Sequence, residues 1–118
     1  MPVRLLSSAI LRWPDRKRVI ASARKWARKV RKKHPEILRI GIVGSCARGD
    51  WGVGSDLDIV IEVSESNEPF GHRLLNLDTS EIPVPTGVLV YTKGEMEKMR
   101  GEGHRFVLEA ERNGIWIK

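Results

Sequence analysis

Two aspartates one residue apart, Asp56 and Asp58, lead directly into an apolar run over residues 59–63. Such a run is typical of a β-strand, and residues at i and i+2 of a strand point to the same face of the sheet. The two carboxylates are therefore expected side by side, where a cation would relieve their repulsion. Mg²⁺ commonly takes one or two carboxylates and completes its shell with water and substrate phosphates. The spacing therefore predicts a magnesium site.

A Gly-Ser pair, Gly44 and Ser45, stands upstream of the aspartates, at the end of another apolar run, Ile37–Val43. Glycine lets backbone approach a ligand closely, and a helix starting at Ala47 would offer free N–H groups to an anion. A metal neutralises phosphates that such a turn positions. Together the turn and the aspartates predict a phosphoryl- or nucleotidyl-transfer site.

The order Gly-Ser, Ala-Arg-Gly and Ser-Asp-x-Asp over residues 44–58 resembles the signature of the DNA polymerase β-like nucleotidyltransferase superfamily. The likeness is strongest to its small minimal nucleotidyltransferases and spans roughly residues 15–117. The resemblance implies that Asp56 and Asp58 are the catalytic residues and hold the metal. The metal would neutralise the triphosphate and hold the attacking hydroxyl in line with the α-phosphate.

Four residues around this turn are candidates for nucleotide binding: Gly44, Ser45, Arg48 and Ser55. The resemblance implies that Gly44 and Ser45 contact the nucleotide phosphates. Arg48 is expected either to reach a phosphate or to pair with a carboxylate. Ser55 fits a turn residue better than a minor ligand, because Ser-Asp is common in turns.

The third carboxylate of active superfamily members is missing from its expected place. The resemblance implies an aspartate on the strand after the Asp-x-Asp strand, and the matching position here is Gly87. Asp78 and Glu81, the nearest acidic residues upstream, are alternative sources of this carboxylate from the loop, although the alignment does not favour either. Loss of general-base help costs roughly 10²–10⁴ in rate, so nucleotide binding without efficient turnover is one expected outcome.

The charge distribution along the chain is uneven. The 118 residues carry a net charge of +6, but residues 1–39 hold 13 Lys/Arg against 2 Asp/Glu, whereas residues 40–118 hold 8 against 13. From Asp15 to Lys33 the apolar residues recur at helical spacing: Val19, Ala23, Trp26, Ala27 and Val30. This pattern predicts an amphipathic helix over about 14–33, with Pro14 in its first turn. The basic face over 16–33 fits either a solvated surface or a site for nucleic acid or an acidic partner.

The remaining patterns predict a single α/β (α+β) domain over residues 1–118, with a small mixed β-sheet flanked by helices. The expected strands are 37–43, 57–63, 87–91 and a short edge strand at 115–117. The expected helices are a short one within 48–54, one at 70–77, one capped by Thr92 and Glu95 that ends near 100, and one at 105–113 closed by Asn113-Gly114. Residues 78–85 contain two prolines and are expected to form a loop.

Other residue types give weaker signals. Cys46 is the one cysteine, which excludes an internal disulfide and favours a cytoplasmic location. It is expected to be a small packed residue. The sequence contains no apolar stretch of the length that a membrane span requires. His34, His72 and His104 are scattered and show no catalytic pattern. Trp51 fits either stacking on a base or contact with a partner.

The resemblance implies a function as well as a fold. Minimal proteins of this family act as antitoxins beside a helical HEPN-type ribonuclease, by adenylylating it from ATP, by masking it, or both. A Mg²⁺-dependent transfer of AMP from ATP to such a partner is therefore the first expectation. The alternatives are a degenerate transferase that only masks its partner, a nucleic-acid-binding module, and transfer to RNA or a small molecule. The apolar residues near the N-terminus also suit a homodimer contact.

Overall fold

The computed structural model describes residues 13–66 and 77–117. In chain order its elements are helix α1 (Arg16–Lys33), strand β1 (Ile37–Val43), helix α2 (Gly44–Arg48), strand β2 (Leu57–Val63), strand β3 (Thr86–Thr92), helix α3 (Lys93–Gly101), helix α4 (Arg105–Asn113) and strand β4 (Ile115–Ile117). The predicted helix at 70–77 and the apolar N-terminal cluster fall outside the described residues, apart from Leu77, which is not helical.

The four strands form one mixed sheet in the order β3-β2-β1-β4. Strand β1 pairs antiparallel with both β2 and β4, whereas β2 and β3 run parallel. Strand β2 is therefore central, which explains why its residues are apolar on both faces. The predicted fold class, a small mixed sheet flanked by helices, is confirmed.

Helix α1 buries the stripe that its sequence predicts: Val19, Ala23, Trp26, Ala27 and Val30. Its N-cap is Asp15, whose side chain accepts a hydrogen bond from the Arg18 N–H at 2.8 Å. The prediction that Pro14 lies in the first turn is wrong, because capping by Asp15 starts the helix at Arg16. The helix ends at Lys33, with His34 as its C-cap.

The two faces of the sheet bury different sets of side chains. On the α1 face, α1 packs against the apolar residues that alternate along the strands, including Ile40, Ile42 and Ile59. The opposite face, called the α4 face here, contains a smaller cluster in which Val43 and Val60 pack with Ala110 of α4. Asp58 shares the α4 face with these two residues, because it lies two positions before Val60 and opposite Val43.

Two close contacts shape the edge of the sheet at β4. Gly41 has no side chain, and a Cβ there would lie 2.6 Å from the Trp116 ring, so the indole lies flat across β1. The guanidinium of Arg39 stacks on the same ring at 3.8 Å from its centroid. Trp116 thus fixes β4 against the centre of the sheet.

The last helices follow their predicted boundaries. Thr92 and Glu95 form the expected capping box at the start of α3. Helix α4 covers the predicted 105–113, and the short strand after it is an edge strand. Gly114 is the C-cap of α4, as expected, and its backbone is extended (φ −64°, ψ 146°).

Candidate active site

The two aspartates lie at the start of the central strand, on the α4 face of the sheet. Asp58 stands between Val43 of β1 and Gly87 of β3, which are its partners in the strand register. Burial raises the pKa of Asp58 above its ordinary value, the adjacent Asp56 carboxylate raises it further, and Arg48 lowers it in part. A cation bound beside the pair would therefore favour the ionised form of Asp58.

Gly44 makes room for the Asp58 carboxylate. Its φ is +74°, and a Cβ at this position would lie 2.7 Å from Oδ2 of Asp58. Both the left-handed backbone and the contact require glycine. The turn therefore passes directly over one of the two predicted metal ligands.

The helix at the turn begins earlier than its sequence suggests. Helix α2 covers Gly44–Arg48, so the predicted start at Ala47 and the predicted helix within 48–54 are both wrong. The positive φ of Gly44 lets the chain turn from β1 into the helix immediately, and Gly49 ends it with φ +85°. Gly44 and Ser45 are consequently its first two residues and lie beside Asp58 rather than in a preceding loop.

The position opposite Asp58 on the neighbouring strand is Gly87. A Cβ there would meet only Oδ1 of Asp58, at 3.5 Å, which is an ordinary contact. In the part of the chain that the structure describes, no group of three His, Cys, Asp or Glu residues converges as a metal site. Gly87 therefore occupies the place from which a third carboxylate would reach the aspartate pair.

Asp78 and Glu81 do not lie beside the aspartate pair. The Glu81 carboxylate is 2.7 Å from Nζ of Lys29 on α1, and the Trp26 indole donates to the Asp78 carbonyl at 2.7 Å. Both contacts are with α1, which covers the sheet face opposite to Asp58. The hypothesis that either residue substitutes for the third carboxylate is therefore wrong.

Arg48 pairs with carboxylates outside the aspartate pair. Its Nη1 is 2.6 Å from Oε1 of Glu109, and its Nε is 3.2 Å from Oδ2 of Asp50. These hydrogen bonds raise the pKa of Arg48. Of the two roles expected for Arg48, the structure shows the ion pair. All three side chains are well exposed, so a bound phosphate could still compete for the guanidinium.

Ser55 closes the loop that leads to the aspartates. Its hydroxyl accepts a hydrogen bond from the Gly52 N–H at 3.0 Å, and its own N–H donates to the Gly52 carbonyl at 3.1 Å. The structure thus gives Ser55 the turn role. The loop sets the direction from which Asp56 enters the strand.

A cavity of about 520 Å³ opens beside Asp58 on the α4 face. Its floor includes Leu89 of β3, and one wall is α4, with Phe106 and Glu109. Gly44 and Gly87 border it next to Asp58. A space of this size beside two carboxylates suits a small-molecule or nucleotide ligand.

The residues flanking the turn are structural. Cys46 is fully buried, as expected, and burial raises the pKa of its thiol. Arg16 of α1 donates to the Cys46 carbonyl at 2.6 Å and to the Ala47 carbonyl at 3.4 Å. The half-buried Trp51 indole donates to the Pro14 carbonyl at 3.0 Å and packs against the core, which gives it a structural role.

The histidines of the described residues act at helix ends. His34 is the C-cap of α1 and lies 3.4 Å from a Glu36 carboxylate oxygen. Nδ1 of His104 accepts a hydrogen bond from the Phe106 N–H at the start of α4. His72 lies outside the described residues. The two that are described are therefore capping residues.

Comparison with known proteins places this site in a family. A family model described as "Nucleotidyltransferase domain" matches residues 23–113, which is most of the chain. The chain belongs to the nucleotidyltransferase domain family. The match includes the Gly-Ser turn, both aspartates and Gly87.

A solved structure shares the nucleotidyltransferase fold. It is a 1.40 Å crystal structure of a Sulfolobus solfataricus protein that carries a provisional nucleotidyltransferase assignment. The two chains are 20% identical with a TM-score of 0.62, over 86% of this chain and 80% of that one. No curated protein matches the sequence. Among the described residues, no helix is long and apolar enough to cross a membrane.

The nucleotidyltransferase domain has cavity residues that sequence reasoning missed: Leu89, Phe106, Glu109 and Asn113. Three of them recur along α4 at intervals of three and four, which marks one helix face. That periodicity is visible in the sequence. Its assignment to the cavity depends on the path of α4 across the sheet, which the sequence does not reveal.

Proposed function

We propose that this nucleotidyltransferase domain transfers a nucleotide from a nucleoside triphosphate in a Mg²⁺-dependent reaction. The observation that carries the proposal is the arrangement at the head of β2. Asp56 and Asp58 lie together, and the Gly44 backbone approaches Asp58 so closely that any side chain at that position would collide with it.

The residues present fit a hard divalent cation. Partial burial and the charge of Asp56 both raise the pKa of Asp58, so a cation held between the two carboxylates would lower their mutual repulsion. Two carboxylates are enough for Mg²⁺ when substrate phosphates complete the shell. When bound, the metal would neutralise the triphosphate and polarise the phosphorus that is attacked.

The chain's own residues would position the nucleotide. Asp56 and Asp58 bind the metal from the sheet side, and Gly44 and Ser45 offer backbone to the phosphates from above. The cavity between β3 and α4 takes a further part of the nucleotide or the acceptor. Phe106 supplies an aromatic edge there, next to Tyr91 at a centroid distance of 5.7 Å.

We further propose ATP as the nucleotide and a helical HEPN-type protein as the acceptor, in a toxin–antitoxin pair. The motif resemblance to the minimal nucleotidyltransferases supports this assignment. Apolar surface beside the site is consistent with a macromolecular acceptor, since Leu89 in the cavity and Leu108 on α4 are 39% and 45% exposed.

Gly87 favours a second candidate, a degenerate transferase that neutralises its partner by binding alone. Without a carboxylate at this position, the attacking hydroxyl lacks the general base or second-metal ligand that the resemblance implies. Such a protein would still bind metal and nucleotide through Asp56 and Asp58. The two candidates therefore differ in turnover and agree in binding.

Titration calorimetry with ATP, with and without Mg²⁺, tests the site. We expect metal-dependent binding that is lost in Asp56→Asn/Asp58→Asn and kept in Glu97→Gln/Glu102→Gln. The control pair changes the charge equally at exposed positions on and just after α3. Equal ATP binding by wild type and the aspartate variant would refute the site.

Intact-mass spectrometry of a HEPN partner, incubated with the protein, ATP and Mg²⁺, separates the two candidates. Gain of one AMP supports transfer. Complex formation with unchanged mass supports masking, provided that calorimetry has shown the nucleotide site to be occupied under the same conditions.

A further inference from the structure

The outward side of α1 carries a continuous row of cations. We define the basic stripe as Lys17, Arg24, Lys25, Arg28 and Lys32, all of which are exposed. At 3.6 residues per turn they fall within an arc of roughly 100°, on the side of the helix opposite to its buried residues. The stripe therefore faces away from the sheet along most of the helix.

Few acidic side chains of the described residues compensate these charges. Helix α1 contains ten Lys/Arg and no acidic residue. Arg16 and Arg31 donate to backbone carbonyls, and Lys29 pairs with Glu81. Within residues 13–66 and 77–117, no ion pair involves a member of the basic stripe.

Three carboxylates of the described residues lie at the margins of the stripe. Asp15 caps the first turn, and Glu36 follows the helix. Glu81 is close enough to Lys25 for that charge to lower the Glu81 pKa, although its own partner is Lys29. None of the three lies among the five cations, so the outward face keeps a strong positive potential.

We propose that the basic stripe binds the phosphodiester backbone of duplex DNA without reading its sequence. From Lys17 to Lys32 the helix rises about 22 Å at 1.5 Å per residue. This length matches roughly six phosphate steps at 3.4 Å per strand of B-form DNA. The major groove of B-form DNA is about 12 Å wide, so an α-helix can lie over its mouth with its cations against the flanking phosphates.

Other anionic ligands fit this face less well. Single-stranded binding relies on aromatic stacking platforms, but Trp26, the aromatic residue of α1, is only 2% exposed. Double-stranded RNA presents a deep, narrow major groove that does not accept the helix. A membrane surface requires apolar side chains among the cations, and the exposed large apolar residues of the described chain lie elsewhere: Leu38, Val53, Leu89 and Leu108.

The composition of the stripe favours binding that does not depend on sequence. Its five members are Lys and Arg, which contact phosphates when the helix lies against the backbone, and the small residues between them, Ala21 and Ser22, are too short to reach base edges from there. Binding is therefore electrostatic and independent of sequence. The stripe lies on the α1 side of the sheet and Asp58 on the other, so this proposal does not depend on the nucleotidyltransferase activity.

Fluorescence anisotropy of a labelled 20-base-pair DNA duplex, titrated with the full chain between 50 and 200 mM NaCl, tests the proposal. Five phosphate contacts predict a slope of log K against log salt of about −4.5. Lys17→Gln/Arg24→Gln/Arg28→Gln is expected to reduce the steepness by about 2.7 and to weaken binding at 50 mM salt about tenfold or more.

The matched control is Lys93→Gln/Lys98→Gln/Arg112→Gln, which removes the same charge from exposed positions of α3 and α4. It is expected to leave the slope and affinity close to wild type. Equal losses in the two triple variants would overturn the proposal, because they would show a general charge effect. A wild-type slope shallower than −2, or tighter binding to single-stranded DNA or duplex RNA, would also overturn it.

Circular dichroism checks that the stripe variant keeps its helix. The single variant Arg28→Gln provides a test that does not depend on the triple variant's stability, with an expected slope change of about 0.9. An unchanged slope in this variant would contradict a role for the centre of the stripe.

Discussion

Gly87→Asp tests most directly whether Gly87 occupies the position of a third carboxylate beside Asp58. The backbone admits the new side chain, since its Cβ would meet only Oδ1 of Asp58 at 3.5 Å. Adjacent strands lie about 4.8 Å apart, so the new carboxylate would stand roughly 5 Å from Asp58. At this distance two charges repel by about 1–3 kcal/mol for an effective dielectric between 80 and 20.

Without metal, Gly87→Asp is therefore expected to be less stable than Gly87→Asn by about 1–3 kcal/mol. Gly87→Asn is the matched control, because it has nearly the same shape and removes the same glycine flexibility without adding charge. Differential scanning fluorimetry, with and without Mg²⁺, measures the difference. Saturating Mg²⁺ should close this gap by binding between the carboxylates.

The same variant tests turnover. If the missing carboxylate limits the reaction, Gly87→Asp should raise the rate of AMP release or transfer from ATP by about 10²–10⁴ over wild type, and Gly87→Asn should not. Equal stabilities of the Asp and Asn variants in the absence of metal would refute the placement of Gly87 beside Asp58. A metal-dependent stability difference between Gly87→Asp and Gly87→Asn without a gain in rate would instead favour a protein that neutralises its partner by binding alone.

Three further predictions follow from the same contacts. Gly44→Ala places an alanine with left-handed backbone against the Asp58 carboxylate. We expect the free energy of unfolding in urea to fall by about 1–3 kcal/mol and Mg²⁺-dependent ATP binding to be lost. Unchanged stability together with unchanged ATP binding would contradict the close approach of Gly44 to Asp58. Asp58→Asn should stabilise the metal-free protein, because burial and Asp56 raise the folded-state pKa of Asp58. A raised folded-state pKa makes the stability of the wild type fall as the pH rises, so the variant should be more stable than wild type at neutral pH and equally stable in thermal unfolding at acid pH. Glu111→Gln breaks the 2.7 Å ion pairs to Arg39 and Arg100. Because these pairs, chiefly that to Arg39, lower the pKa of Glu111 in the folded state, the wild type should be more stable than the variant by roughly 1 kcal/mol at pH 7. This difference should be lost as the pH falls through the folded-state pKa, and a difference that does not change with pH would contradict the prediction.

Local patterns predicted most of the elements correctly. The helical spacing of the apolar residues predicted the buried side of α1 correctly, because the periodicity of apolar residues indicates directly which face of a helix is buried. The boundaries of β1, β2 and α4 follow from apolar runs bounded by turn residues. The short helix α2 was misplaced because five residues carry no periodic signal and its start depends on the left-handed Gly44.

Contacts between residues that are far apart in the sequence could not be predicted. The Arg48–Glu109 pair joins positions 61 apart in sequence, and the Lys29–Glu81 pair joins positions 52 apart. Both depend on which face of the sheet each connection crosses. Gly87 could be singled out from the sequence, because the family resemblance implies an aspartate on the strand after the Asp-x-Asp strand and the matching position is Gly87; its place opposite Asp58 came from the structure. The metal-binding role of Asp56 and Asp58 and the nucleotide-binding role of Gly44 and Ser45 remain predictions.

The opposite charges on the two sides of the sheet also affect how a substrate approaches. Free ATP, with about four negative charges, is drawn by the long-range field towards the cations of α1 and away from the aspartates. Under the proposed function, a nucleotide that already carries Mg²⁺ would have lost part of that charge, and its metal would be attracted to Asp56 and Asp58. The order of association would therefore decide which side of the molecule the nucleotide meets first, and excess DNA on α1 would suppress the unproductive encounter.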